Sequence, residues 1–216
     1  DVATSIRFSG VEHSFFVRAK AEKMCAALRR FGRDPSQLRM LDVGCGVGLT
    51  DAFLAGQVNE LHGVDVNPDA IAEAKKRNPA VHYQTYDGHR LPFKDAEFDA
   101  SFAICVVHHV PPPQWPAFVA ELKRVTKPGG WVMIYEHNPW NPLTQRAVNH
   151  CEMDRDANLL TLPTARNLLL QAGLLPVRCE YILFFPFGGA LITWIERLLS
   201  WLPLGAQYGV AGRVPG

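Results

Sequence analysis

An excess of either charge is missing from this chain: 22 Lys and Arg face 21 Asp and Glu. No overall field therefore draws in nucleic acid or a strongly acidic partner, and any binding has to be local. The five cysteines, at 25, 45, 105, 151 and 179, include no C-x-x-C pair and are odd in number. That usage argues against a disulfide framework and fits a reduced, cytoplasmic protein. Asp1 to Ser9 contain neither a basic region nor an apolar run, so no secretion signal is expected. The most apolar late stretch, 190–202, is too short and too charged to span a bilayer. His108, His109, His137 and His150 match no helical ligand pair, and no metal site is expected. Internal repeats and low-complexity tracts are also lacking. What remains is the expectation of one domain over 1–216, with a core that buries ~70% of the unfolded surface.

The most informative stretch present is Met40 to Thr50. Met40, Leu41 and Val43 read as a short buried strand, and Gly44, Gly46 and Gly48 form a turn before helical sequence resumes. Without Cβ atoms, such a loop brings backbone close to a ligand, and the N–H groups beyond it attract polar or anionic groups. A dinucleotide loop requires Gly-x-Gly-x-x-Gly, yet position 49 is Leu and the third glycine comes one residue early. Asp42, just before the first glycine, would repel a pyrophosphate but accept hydrogen bonds from a cationic amino-acid group. An ordinary strand-to-helix turn is the alternative for the glycines alone.

The surrounding pattern alternates strands and helices. Met24, Ala27, Leu28 and Phe31 give an amphipathic helix over 12–31, stopped by Gly32. Leu61 to Val66 reads as a second strand delivering Asp65, followed by Asn67 as N-cap and Pro68 at the first helical position. A carboxylate about 20 residues past the glycine loop, on the adjacent parallel strand, is placed to grip ribose hydroxyls. Val81 to Tyr86 forms a third strand, ending at Asp87 and Gly88, and Ala100 to Val107 a fourth, ending at His108 and His109. A helix through Trp115, Phe118, Val119, Leu122 and Val125 leads to the Lys127-Pro128-Gly129-Gly130 turn and strand Trp131 to Tyr135. Glu136 and His137 follow it. A helix over 164–172, a sixth strand over about 176–185 and a last strand within 205–213 complete the series.

The glycine loop, Asp65, Asp87, the His-His segment and the Lys-Pro-Gly-Gly turn together resemble the class I S-adenosylmethionine-dependent methyltransferases, in particular the ubiquinone and menaquinone methyltransferase-like group. The resemblance covers roughly 36–184. It implies an α/β, Rossmann-like seven-stranded sheet in the order 3-2-1-4-5-7-6, strand 7 antiparallel, with helices on both faces. It further implies a cap at 1–35, a core at 36–187 and a closing strand and tail at 205–216, whereas the apolar helical insertion at 188–204 departs from the family's general pattern. S-adenosylmethionine would be the methyl donor and S-adenosylhomocysteine the product. By the same resemblance Asp42, Gly44, Cys45 and Gly46 surround the amino-acid end, Asp65 with Val66 and Asn67 the ribose, Asp87 and Gly88 the adenine, and Ala103 and Ile104 the sulfonium. Arg18 lies in the stretch resembling the family's helical cap, where aromatic and basic residues close over the cofactor; plain core for Phe15 and Phe16 and a solvated charge for Arg18 is the alternative.

Methyl transfer is an in-line displacement that mainly requires positioning and exclusion of water. An oxygen or acidic-carbon acceptor profits from a base, for which His109, His108, His137 and Glu136 at strand ends are the candidates. Fourth-strand residues Ile104-Cys105-Val106-Val107 replace the Asn/Asp-Pro-Pro-aromatic sequence of enzymes that methylate nucleobase amines, which disfavours nucleic acid. Phe15, Phe16, Trp140, Trp194 and Trp201 predict an aromatic pocket for a small hydrophobic or amphiphilic acceptor. Thr193, Glu196, Arg197 and Ser200 form a polar stripe on the helix at 190–202, which is expected to pack its apolar side on the sheet; contact with a membrane or lipid is the alternative. A nicotinamide-dependent oxidoreductase and a catalytically silent methyltransferase-like binding protein are the competing functions.

Overall fold

The polypeptide path follows from where capping and breaking residues fall. The computed structural model describes residues 13–151, 154, 156–185, 187 and 189–216; Glu12, at the predicted start of the first helix, lies outside them. Helix α1 runs His13–Arg30, β1 Arg39–Val43, the short α2 Asp51–Leu54, β2 Glu60–Asp65, and α3 Pro68–Arg77. They are followed by β3 His82–Thr85, β4 Phe98–Ile104, α4 Trp115–Val125, β5 Thr126–His137 and α5 Pro142–Asn149. Helix α6 Leu162–Gln171, β6 Val177–Ile182, α7 Ala190–Leu199 and β7 Gln207–Arg213 complete the order. Asn67 caps α3 by accepting from Asp69 and Ala70 N–H, and Asn141 caps α5 in the same way, each with Pro next in sequence.

The seven strands form one sheet in the order β3-β2-β1-β4-β5-β7-β6. β1 to β5 pair in parallel, while β7 runs antiparallel to both β5 and β6. This is the predicted topology. Successive residues alternate between two cores. Met40, Phe102, Met133 and Tyr135 meet α1 through Met24 and Leu28, and α3 through Ile71, on one face. Leu41, Phe98, Val132 and Ile134 meet Val119 and Leu122 of α4 and Leu168 and Leu169 of α6 on the other. The predicted turn at Lys127-Gly130 is instead a bulge inside β5: Phe98 pairs with Thr126, and the next pairing joins Ala100 to Trp131. Gly129 takes φ +76° there.

The expectation for 190–202 requires correction. Helix α7 does not bury its apolar side on the sheet: Leu191, Trp194 and Leu198 are exposed, whereas Glu196 is buried. Glu196 accepts from Lys23 Nζ at 2.6 Å and from the N–H groups of Phe184 and Phe185, at 2.9 and 3.4 Å. A charge on α1 and two backbone donors beyond β6 need an acceptor, and meeting them turns the helix with its acidic residue inward.

Candidate active site at the C-terminal edge of the sheet

The carboxyl ends of β1, β2, β4 and β5 converge, as the crevice of an open parallel sheet requires. The glycine loop leaves β1 with Gly44 and Cys45 N–H both bonded to Val64 O. Its three glycines serve different ends. A Cβ on Gly44 would come 2.4 Å from Val106, and one on Gly48 would come 2.6 Å from both Asn78 Nδ2 and Tyr83 Oη. The protein's own packing therefore demands those two. A Cβ on Gly46 would meet nothing within 4 Å, so Gly46 forms the open side of the loop.

Asp65 ends β2 directly against that open side: Oδ2 accepts from Gly46 N at 2.8 Å and Oδ1 from Asn67 N at 2.9 Å. Val66 is exposed, and a Cβ on Gly88 would lie 3.3 Å from it, so the segments after β2 and β3 form one wall. Asp87 stands exposed on that wall. Bonds from Arg90 and His89 N–H hold its carboxyl below the ordinary range. Asn67 is brought to the same place, but its side-chain oxygen is engaged in capping α3.

Beneath the loop, Asp42 and Asp51 are both buried, and Oδ1 of each lacks a hydrogen-bond partner among the described residues. Burial followed by mutual repulsion raises Asp42 well above its usual value, and burial pushes Asp51 up to about 6. Tyr83 Oη donates to Asp51 at 2.7 Å, and Asn78 Nδ2 donates to Tyr83 Oη and Gly48 O, which ties the pair to the loop. Asp51 is absent from the sequence-based expectations.

The cap presents a different cation from the one predicted. Arg18 points outward, its side chain 65% exposed, and pairs with Glu22 along α1. Lys20 is buried, reaches to 3.7 Å from Cys105 Sγ, and acts electrostatically on Asp42. It lies four residues before Met24, on the buried stripe of the helix. Phe16 packs against the core rather than standing free.

At the end of β4, Ala103 is buried and Ile104 half-buried. Cys105 adopts φ +57°, rare for a residue with a side chain, and its N–H bonds to Tyr135 O. Burial raises its thiol, but the charges of Lys20 and His137 outweigh this and bring it down to about 7. Gln207 Nε2 lies 3.5 Å from Cys105 Sγ and 3.3 Å from His137 Nδ1. His137 is raised: burial opposes its charge, and the Cys105 sulfur favours it.

The four proposed bases divide sharply. Glu136 is buried and accepts from Val106 N, Val107 N and His108 Nδ1, at 3.0, 2.8 and 2.6 Å. Burial opposes its charge, but His108 keeps its carboxyl below the ordinary range. Burial likewise opposes the charge of His108, yet Glu136 and Asp154 push it up to about 10. Both are thus committed to holding the chain after β4. His109 is lowered by burial and by the neighbouring His108 charge, and its side chain is 43% exposed. A neutral, accessible ring remains there.

Residues 41–134 match the family model described as a methyltransferase domain. The chain is 34% identical over 119 residues to demethylmenaquinone methyltransferase of Beutenbergia cavernae, covering 54% of this chain and 48% of that protein. It is likewise 34% identical over 100 residues to malonyl-[acyl-carrier protein] O-methyltransferase of Serratia marcescens, covering 44% of this chain and 37% of that one. The matched stretches thus span half or less of those relatives' length. A solved SAM-dependent methyltransferase from Aquifex aeolicus superposes with a TM-score of 0.67 at 18% identity, over 99% of this chain and 98% of that one, and shares its fold.

Proposed function

We propose, from the methyltransferase-domain match over residues 41–134 and the geometry of the sheet edge, that this chain acts as a class I S-adenosylmethionine-dependent methyltransferase, transferring a methyl group from that donor to a small hydrophobic or amphiphilic acceptor. The single observation that carries the donor side is the meeting of Asp65 with the open flank of Gly46. The residues present fit the donor. Asp65 would offer a carboxylate to a ribose diol, Asp42 would offer the ammonium group a buried oxygen that has no partner among the described residues, and Val66, Asp87 and Gly88 would line a wall for the purine. When bound, the donor supplies an electrophilic methyl on a sulfonium. The backbone of Ala103 and Ile104 would border that centre, with Lys20 Nζ and Cys105 Sγ, 3.7 Å apart, as its neighbours on this reading.

The protein's part in the transfer is alignment and, for a hydroxyl or acidic-carbon acceptor, acceptance of one proton. On this reading His109 or His137 receives that proton. Glu136 and His108 act one step back, fixing the backbone of Val106 and Val107 that shapes the mouth.

The acceptor side rests on exposed apolar surface. Trp140, Leu143, Leu191, Trp194, Leu198, Trp201 and Leu204 all stand in solvent, with Trp201 74% exposed. Asn138 and Asn141 bond to the carbonyls of Pro203, Leu204 and Gly205, stitching the segment after β5 to that after α7. Such a face suits an apolar acceptor or the lipid phase holding one, and contact with a membrane surface belongs to this proposal. Among the described residues no helix is long and apolar enough to cross a membrane. The test is transfer of labelled methyl to matched apolar and polar acceptors by the native chain and by a Trp194→Ser, Leu198→Ser, Trp201→Ser variant. The proposal expects apolar turnover to fall at least tenfold, with polar turnover and donor affinity unchanged. Equal apolar turnover in both would defeat the acceptor assignment.

A further inference from the structure

One of these candidate bases, His109, belongs to a cluster able to hold an ion, which the proposed transfer does not itself require; with an ion on His109, the acceptor's proton falls to His137. His108 Nε2 and His109 Nε2 both face Asp154 Oδ1, at 3.3 and 3.5 Å. One potential ligand atom from each of the three residues lies within 4.8 Å of the other two. Those distances are long for bonds between an imidazolium and a carboxylate, which settle near about 2.7–2.9 Å. The protein makes such a bond on the other side of the same ring: His108 Nδ1 to Glu136 Oε2 is 2.6 Å. Two ligands bound to one ion at about 2.0–2.1 Å with tetrahedral angles stand about 3.4 Å apart. The two spacings to Asp154 straddle that value.

The geometry points to a site for one divalent transition-metal ion of the zinc class, bound by His108 Nε2, His109 Nε2 and Asp154 Oδ1, with a fourth position open. Three further features agree with it. Glu136 on Nδ1 of His108 fixes the tautomer that turns Nε2 to the ion, as carboxylates do behind metal-bound imidazoles. Asn158 N–H donates to His108 O at 2.8 Å and Asp154 N–H to Cys151 O, so the acidic ligand is anchored to the segment it faces. The partly exposed His109 provides an approach from solvent. The ion takes the place of the proton on His108 Nε2. The choice of zinc class follows from two imidazoles and one carboxylate with a vacancy, a set suited to borderline ions rather than to magnesium or calcium. Any use of the open position by an acceptor oxygen rests on the methyltransferase reading; ion binding itself does not.

A second cluster supplies the internal control. Glu60, His62 and His82 also bring three ligand atoms together, but Glu60 and His62 are already bonded at 2.7 Å, and Arg39 lies 3.2 Å from His62 Nε2. It reads as an ordinary ion-paired surface patch.

Equilibrium dialysis of the full chain against Zn2+, and the visible absorption of Co2+ in its place, test the assignment without methyl transfer being measured. One ion per chain is expected at micromolar concentration, with Co2+ giving the intense bands of a four-coordinate centre. His109→Gln and Asp154→Asn should each weaken binding at least tenfold, while His82→Gln leaves it unchanged; circular dichroism verifies that each variant is folded. No ion retained, or an ion that follows His82→Gln and ignores Asp154→Asn, would overturn the site.

Discussion

Replacing Asp51 by Asn separates what the fold prefers from what the proposed ligand needs. Asp51 is fully buried, and burial raises its carboxyl from 3.8 to about 6. The folded state therefore holds this proton more tightly than the unfolded chain does. That contribution to stability is complete below about pH 4 and is lost as pH rises toward 6. Two units at about 1.4 kcal/mol each make the loss ~3 kcal/mol at most, shared with Asp42. Asn keeps an acceptor for Tyr83 Oη and adds a donor for Asp42 Oδ1, which has no partner among the described residues. At pH 7.5 the variant should be more stable by roughly 1–3 kcal/mol, or about 2–12 °C in melting temperature for a chain of this size. At pH 4 the gain should vanish. Thermal melts at both pH values, at one ionic strength, measure it. If the acid pair faces the ammonium end of the donor, S-adenosylmethionine binds the variant at least tenfold more weakly, a loss of function accompanying a gain of stability. A variant less stable than the native chain at pH 7.5, or one with an unaltered pH slope, would refute the reasoning.

Further outcomes follow from neighbouring residues. Gly48→Ala, at φ +71° and with no room for a methyl, should destabilise the chain by roughly 2–4 kcal/mol in urea unfolding, whereas Gly46→Ala should cost only about 1–2 kcal/mol, because its methyl meets open space. Equal costs would contradict the division of labour within the loop. Glu136→Gln leaves the buried His108 with only the longer Asp154 contact as counter-charge and should cost about 3–5 kcal/mol; a loss under 1 kcal/mol in the same assay would remove the network from the scaffold. Cys105 should be alkylated by iodoacetamide with a midpoint near pH 7, moving upward in Lys20→Met, while the buried Cys25 and Cys45 stay unreactive. Peptide mapping by mass spectrometry reads this out, and a Cys105 midpoint at or above about 8.5 would show that Lys20 and His137 do not stabilise the thiolate.

The architecture was legible because its signals are local. Alternating apolar strands, Asn67-Pro68 as a helix start and the glycine triplet each carry their physical cause in a few residues. Asn141-Pro142 carries the same helix-start signal for α5, although no helix was assigned there. Less legible were properties decided by partners far along the chain. Lys20 shares a face with Met24 and Leu28, but only the presence of Asp42 and Cys105 opposite makes a buried amine tolerable there. The polar stripe of α7 pointed to an outward Glu196, and Lys23, 173 residues away, reversed it. Asp154 meets His108 across 46 residues and an irregular segment, so no spacing rule brings them together. Asp51 sits in a helix of four residues, with nothing in its neighbourhood to mark it as buried.

Calorimetric titration of the native chain and of Asp65→Ala with S-adenosylmethionine, with NADH as comparison, tests the central claim most directly. The account predicts one donor molecule per chain, no binding of NADH, and a loss of roughly 1.5–3 kcal/mol in the variant, about 10- to 150-fold, as the carboxylate beside Gly46 is removed with the fold intact. Absence of S-adenosylmethionine binding, or equal affinity in a folded Asp65→Ala chain, would contradict it.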